Sequence, residues 1–464
     1  MENIQFSSLN LRPELFGNLS DLGYKEMTPI QALSLPAILK GLDVIGQGKT
    51  GSGKTAAFGL GLLNKIDTKS FRVQAVVLCP TRELADQVTN ELRRLARALH
   101  NVKILTLCGG TPLRPQADSL GRGAHIVVGT PGRIEDHLSR KTLKLRHVET
   151  LVLDEADRML EMGFQDVVEN IVAEIPPGRQ SLLFSATFSS EIQAVAKKML
   201  KNPVIAKVES THGGDSIKQC FYPIKDTDRL QALRLVMLHH LPDSTVVFCN
   251  TKVEVKDVAE ALTEQGYDVL SLHGELEQWK RDQVLVRFAN RSVSVLVATD
   301  VAARGLDIDS LDAVINFSPA HDAEIHTHRI GRTGRAGGKG LACTLYSDNE
   351  GYRVDQVAKY LNLNLKPETL PPRSLLKQPA IQADMTTLQI EGGKKQKIRK
   401  GDILGALTGE DGIDGKAVGK IHIFDQWAYV AIQRDAVHQG LEKLQKGQLK
   451  GRNFRVRMIR GESR

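Results

Sequence analysis

Two short stretches carry side chains that could do phosphate chemistry. "GKTGSGKT" (48–55) strings glycines, hydroxyls and a lysine together, and "TLVLDEAD" (150–157) ends an apolar run on three carboxylates. In the first, Gly48, Gly51 and Gly53 let backbone amides wrap a phosphate chain, with Ser52 inside the loop. Lys54 then reaches the β- and γ-phosphates, and the Thr55 hydroxyl is placed to bind Mg²⁺. In the second, Asp154 is placed to hold the same Mg²⁺. Its neighbour Glu155 lies within reach of an attacking water and can polarise it. An acidic run alone is more often a solvated loop. At a strand end downstream of a phosphate loop it reads as a hydrolytic site.

A third stretch, "HRIGRTGRAG" (328–337), sets Arg332 and Arg335 three apart on one helical face. Guanidinium groups so placed can reach charge developing on a γ-phosphate, an effect worth roughly 10³–10⁵ in rate. His321 and His326 nearby lack the thiol or carboxylate spacing of a metal site.

These residues need elements to hold them. Short β-branched runs recur, each followed by a helical pattern: "VQAVVLCPT", "AHIVVGT", "TLVLDEAD" and "QSLLFSAT", then "STVVFCNT", "DVLSLHG", "VSVLVATD" and "DAVINFS". Apolar runs alternating with helices predict an α/β fold with parallel sheets, and functional residues belong at the strands' carboxyl ends. Breaks near 208–218 and 370–380 divide the chain into expected domains 1–208, 217–370 and 380–464.

With "DEAD" at 154–157, "PTRELA" at 80–85, "TPGR" at 130–133 and "SAT" at 185–187, the chain resembles the DEAD-box family of ATP-dependent RNA helicases. The resemblance implies two RecA-like parallel-sheet domains. It implies that Tyr24 stacks on adenine, that Gln31 bonds the base edge, and that Phe6 is the upstream aromatic of the ATP site. Asp307 resembles the family's ribose contact. His328 links closure to the nucleotide, Gln278 and Arg281 match the motif that steadies the closed form, and Ser185 and Thr187 couple the γ-phosphate to the cleft. The implied RNA track is Arg82, Gly110, Thr130 and Arg133 in the first domain, and Thr251, Thr299 and Asp300 in the second. Contacts to phosphate and 2′-OH there would favour RNA over DNA without reading much sequence. In this family ATP and RNA both favour the closed form, which opens short duplexes locally. Lys49 departs from the family's usual glutamine. An ATP-gated RNA clamp with little unwinding is the competing reading, and a DNA helicase the third.

Composition agrees with an acidic partner. The formal net charge is +8, and residues 378–464 hold 16 Lys+Arg against 10 Asp+Glu, or +6 of it. That segment reads β-α-β-β-α-β, a small α+β RNA-recognition-motif-like fold, with Tyr429 as a stacking candidate on its third strand. Strand one has no aromatic, so loops and edges are expected to matter more than the sheet face. Lys395, Lys397, Arg399 and Lys400 precede a helix and form the expected RNA-docking edge. This tail resembles that of the bacterial DEAD-box protein A subfamily, which implies docking on a 23S ribosomal RNA hairpin and a role in 50S assembly. Five scattered cysteines exclude a zinc ribbon and argue for a reducing cytoplasm without a structural metal. No leader or membrane span is expected.

Overall fold

A computed structural model describes all residues except 1–4, 49–50, 189, 209–216, 304–310, 335–338 and 460–464. The chain divides near residue 211 into two compact units. The first carries β1 (Val44–Gln47), β2 (Ala75–Leu78), β3 (Ile104–Leu107), β4 (Ile126–Gly129), β5 (Thr150–Leu153), β6 (Gln180–Ser185) and β7 (Val204–Lys207). They form one parallel sheet in the order β3-β4-β2-β5-β6-β1-β7. Helices cover both faces, which is why β2, β4, β5 and β6 are buried end to end and lack alternation.

The second unit holds two sheets. β8 (Ile217–Pro223), β9 (Thr245–Cys249), β10 (Val269–Leu272), β11 (Val295–Thr299), β12 (Ala313–Asn316) and β13 (Gly340–Tyr346) pair in parallel as β10-β11-β9-β12-β13-β8. Like the sheet of the first unit, this one is RecA-like. The last sheet is small and antiparallel: β14 (Met385–Ile390), β15 (Val418–Ile423), β16 (Ala428–Gln433) and β17 (Val456–Met458), ordered β15-β16-β14-β17. With helices Lys400–Thr408 and Val437–Lys446 the order is β-α-β-β-α-β.

This small sheet has two occupied faces. Leu388, Ile390, Val430, Ile432 and Val456 point into its own core. Thr387 and Tyr429, on the opposite face by strand alternation, are 0% and 1% exposed because they pack on the preceding domain. Thr387 Oγ1 accepts from Asn290 Nδ2 at 3.1 Å and bonds Ser292 Oγ at 2.7 Å. Asp268 accepts from the Ala383 amide (2.9 Å) and Arg434 Nη2 (2.6 Å). The 370–380 break is therefore no free tether. Leu370 and Ala380 pack on the second domain's core, and Arg373 pairs with Asp228 at 3.2 Å.

Candidate nucleotide and RNA sites

In the first unit β1 runs into the phosphate loop and then into helix Lys54–Lys65. Gly51 and Gly53 hold φ of 82° and 93°, where a side chain is strained. A Cβ on Gly53 would also meet Gln31 Nε2 at 2.5 Å. Gln31 is 1% exposed; its oxygen accepts from the Thr28 amide (2.9 Å) and its Nε2 donates to Gly53 O (3.1 Å). The amide expected at a base edge is thus committed here to holding the loop. Lys54 is 6% exposed, with its ammonium on Gly48 O at 2.8 Å. The buried hydroxyl of Ser52 finds no partner among the described residues, an unusual deficit that a ligand oxygen would satisfy. Thr55 stands half-buried one residue into the helix.

Phe6 is 2% exposed and meets Tyr24 edge-on at 6.1 Å between centroids, so its ring supports Tyr24 rather than offering a free face. Tyr24 is itself tied: its hydroxyl donates to Glu91 and accepts from Arg94, both at 2.8 Å.

Asp154 and Glu155 follow β5, whose neighbour β6 ends at Ser185. Glu155 takes the left-handed conformation (φ 52°), a strained choice for a non-glycine that aims adjacent carboxylates differently. Asp157 ties the two strand ends together. Its Oδ2 accepts from the amides of Ala186 and Thr187 (3.1 Å each) and from Thr187 Oγ1 (3.3 Å). Sequence reasoning misses Asp157, although its place in the acidic run is a signal.

Burial pushes the Asp154 carboxyl up to about 7; Lys54 opposes the shift, and Glu155 adds to it. That burden is what a bound cation relieves, so the Asp154 carboxylate could hold Mg²⁺. The folded chain holds this proton more tightly than the unfolded chain, so stability falls as pH rises from 3.8 to about 7 and stays low above. Asp154→Asn is therefore expected to raise Tm of the nucleotide-free protein by several degrees at pH 8 and by a smaller margin at pH 5. Equal margins in thermal unfolding would show that the carboxyl is not held protonated.

Arg82, Gly110, Thr130 and Arg133 follow the adjacent strands β2, β3 and β4, and so gather at one sheet edge. Arg82 Nη1 is buried without a partner among the described residues. Arg133 instead donates both terminal nitrogens to Thr111 O at 3.0 Å, fixing the turn beside Gly110 (φ 73°).

In the second unit sequence reasoning misses Arg329, three residues before Arg332 on the same helical spacing. It is 1% exposed and donates to Asp300 Oδ1 (2.7 Å) and Oδ2 (2.8 Å), Asn250 Oδ1 (2.8 Å), Asn316 Oδ1 (3.1 Å) and Ser318 O (2.8 Å). One guanidinium thereby ties the ends of β9, β11 and β12. The Asp300 carboxylate is held in a bidentate pair with Arg329, which positions the end of β11. Thr299 ends β11 beside it. Thr251 caps helix Lys252–Glu264, accepting from the Glu254 amide at 3.1 Å, and borders a groove of about 570 Å³ with Asn250 and Val253. Gln278 Nε2 bonds Asp282 (2.8 Å), and Arg281 Nη2 bonds Ala302 O (2.7 Å). His328 lies in helix Ala323–Ile330, and Arg332 follows it half-buried. Arg335, Asp307 and Lys49 lie outside the described residues.

Tyr429 is also corrected. Its ring packs against Phe424 (5.6 Å), its hydroxyl is bonded to Gln283, and burial pushes its pKa up to about 12. A residue sealed between two domains cannot stack on a base. The basic loop lies elsewhere: Lys394, Lys395, Lys397, Arg399 and Lys400 punctuate a turn whose backbone is held by bonds to Phe424 O (2.8 Å) and Asp425 O (2.9 Å). The helix end beside it is not bare, since Asp402 accepts from the Arg399 amide (2.7 Å) and pairs with Lys450 (3.3 Å). Phosphate would therefore be met by side chains more than by helix amides.

The chain matches the families described as DEAD/DEAH box helicase over 28–195, helicase conserved C-terminal domain over 227–337, and DbpA RNA binding domain over 387–458. It is 52% identical over 456 residues to the ATP-dependent RNA helicase DbpA of Escherichia coli K12, covering 98% of this chain and 99% of that one. It is 45% identical to the ATP-dependent RNA helicase CshA of Listeria monocytogenes, covering 75% and 67%. Among solved structures, S. cerevisiae Dbp5 bound to RNA and ADP BeF3 aligns with TM-score 0.71 at 29% identity, covering 79% and 95%. Mss116p bound to ssRNA and AMP-PNP aligns with TM-score 0.70 at 26% identity, covering 81% of each.

Proposed function

The chain belongs to the DEAD/DEAH box helicases, as an ATP-dependent RNA helicase of the DbpA type, and from that premise we propose that its third domain delivers the motor to a 23S ribosomal RNA hairpin during 50S assembly in the cytoplasm. The observation that carries this reading is the row of five cations at 394–400, on a domain whose sheet face is already covered. RNA then meets charged side chains on a rigid loop, which suits a folded hairpin better than splayed single-stranded bases.

Within the motor, the amides of 51–53 and Lys54 take the phosphates of ATP, with Ser52 completing the cradle. Thr55 and Asp154 would hold Mg²⁺, which neutralises charge on the β- and γ-oxygens. Glu155 receives the proton of the attacking water. Asp157 carries the state of that strand end to Ser185 and Thr187, because any shift of the acidic loop pulls on the amides it accepts from. Arg332 and Arg335 supply charge to the transition state from the second domain. Arg82, whose Nη1 has no partner among the described residues, takes an RNA phosphate.

Replacing Lys395, Lys397, Arg399 and Lys400 together by alanine removes side chains that lie outside the domain's core. The variant should stay folded and bind a 23S hairpin fragment more weakly. Its plot of log K against log salt should flatten by about 0.7–0.9 for each phosphate no longer neutralised. Fluorescence titrations at several salt concentrations measure this. A slope equal to wild type would remove the loop from the interface.

A further inference from the structure

Cys220 and Cys343 occupy directly paired positions on adjacent parallel strands, β8 and β13. Both side chains therefore leave the sheet on one face and meet, thiol against thiol. Helix Arg229–His240 packs over that face and ends on His240, whose ring closes the group. The two sulfurs and a ring nitrogen all lie within 4.8 Å of one another. None of these residues belongs to the nucleotide site or the RNA track.

We propose that Cys220, Cys343 and His240 form a binding site for one thiophilic divalent cation, of which zinc is the fitting case. Tetrahedral zinc takes sulfur at about 2.3 Å and nitrogen at about 2.0–2.1 Å, which sets ligand atoms roughly 3.5–3.8 Å apart. The span seen here needs a contraction of about 1–1.3 Å at most. Two thiolates with a neutral imidazole offset a divalent charge in full, which a buried site requires.

A supporting shell is present as well. The Tyr222 hydroxyl, on a residue 2% exposed, lies 3.4 Å from His240 Nε2 and donates to Glu368 Oε2 at 3.2 Å. Such a link fixes ring orientation in metal sites, and leaves a water for the fourth position. Glu368 is itself anchored, its amide bonded to Phe221 O at 2.8 Å. A cation would thus clip the edge strand β8, the end of helix Arg229–His240 and the 367–368 segment together.

The test is a titration of the full-length, reduced, metal-stripped protein with Co²⁺, followed by displacement with Zn²⁺. One Co²⁺ per chain should appear with a thiolate-to-cobalt charge-transfer band and the strong visible bands of tetrahedral coordination. Oxygen ligands of a nucleotide site cannot give that charge-transfer band. The band should vanish in Cys220→Ser/Cys343→Ser, weaken at least tenfold in His240→Gln, and persist in Cys108→Ser. On wild type alone, Zn²⁺ should raise Tm and shield two of the five thiols from alkylation under mild denaturant. Absence of a charge-transfer band in folded wild type, or its survival in the double serine variant, would overturn the site and leave the pair as packed core thiols.

Discussion

Glu155→Gln is expected to bind ATP and RNA within a few-fold of wild type while losing about 10²–10⁴ in turnover. The amide keeps the size and hydrogen-bonding reach of the carboxylate but cannot take a proton. The left-handed backbone at this position is set by the turn out of β5 into helix Ala156–Glu161, so the replacement should keep its geometry. Asp154, the proposed cation ligand, is untouched, and so is Asp157 with its bonds to Ala186 and Thr187. Single-turnover hydrolysis beside equilibrium nucleotide binding separates the two effects. Near-normal hydrolysis would remove Glu155 as the water activator. Equal losses in binding and turnover would mean that it shapes the pocket instead.

Arg332→Ala and Arg335→Ala should each cost roughly 10³–10⁵ in hydrolysis, with ATP affinity little changed, because a finger acts on charge that develops only in the transition state. Arg329 supplies the internal contrast. It spends its guanidinium on Asp300, Asn250, Asn316 and Ser318, and losing one partner of a buried pair costs roughly 3–5 kcal/mol of stability. Denaturant unfolding measures that cost. Arg329→Ala should shift the midpoint strongly. Parallel loss of ATP binding and hydrolysis in Arg332→Ala and Arg335→Ala would argue against a finger.

Much of this is legible in the sequence for a local reason. Parallel strands announce themselves as continuous apolar runs, and the residues after them do the chemistry, so "VVLCPT", "LVLDEAD" and "LLFSAT" locate the candidate site as well as the sheet. The order β-α-β-β-α-β of the tail is readable from the same periodicities. What stays hidden depends on contacts between distant segments. Nothing near Tyr429 says that its face is covered by Asn290, Ser292 and Gln283, so a strand aromatic looks like a stacking platform. Asp300 looks free because its partner Arg329 comes from another helix. Cys220 and Cys343 look scattered because only the β8–β13 register brings them together. Gln31 reads as a ligand contact from its motif, while its bonds here hold Gly53.

The family resemblance implies that ATP and RNA both favour one closed form, so RNA is expected to stimulate turnover. ATP hydrolysis by the full-length protein should therefore be measured without RNA, with a 23S hairpin fragment, and with an unrelated RNA of equal length. Slow turnover alone, strong stimulation by the 23S fragment and markedly weaker stimulation by the unrelated RNA are the expected results. Hydrolysis at the same rate with and without RNA would contradict the mechanism.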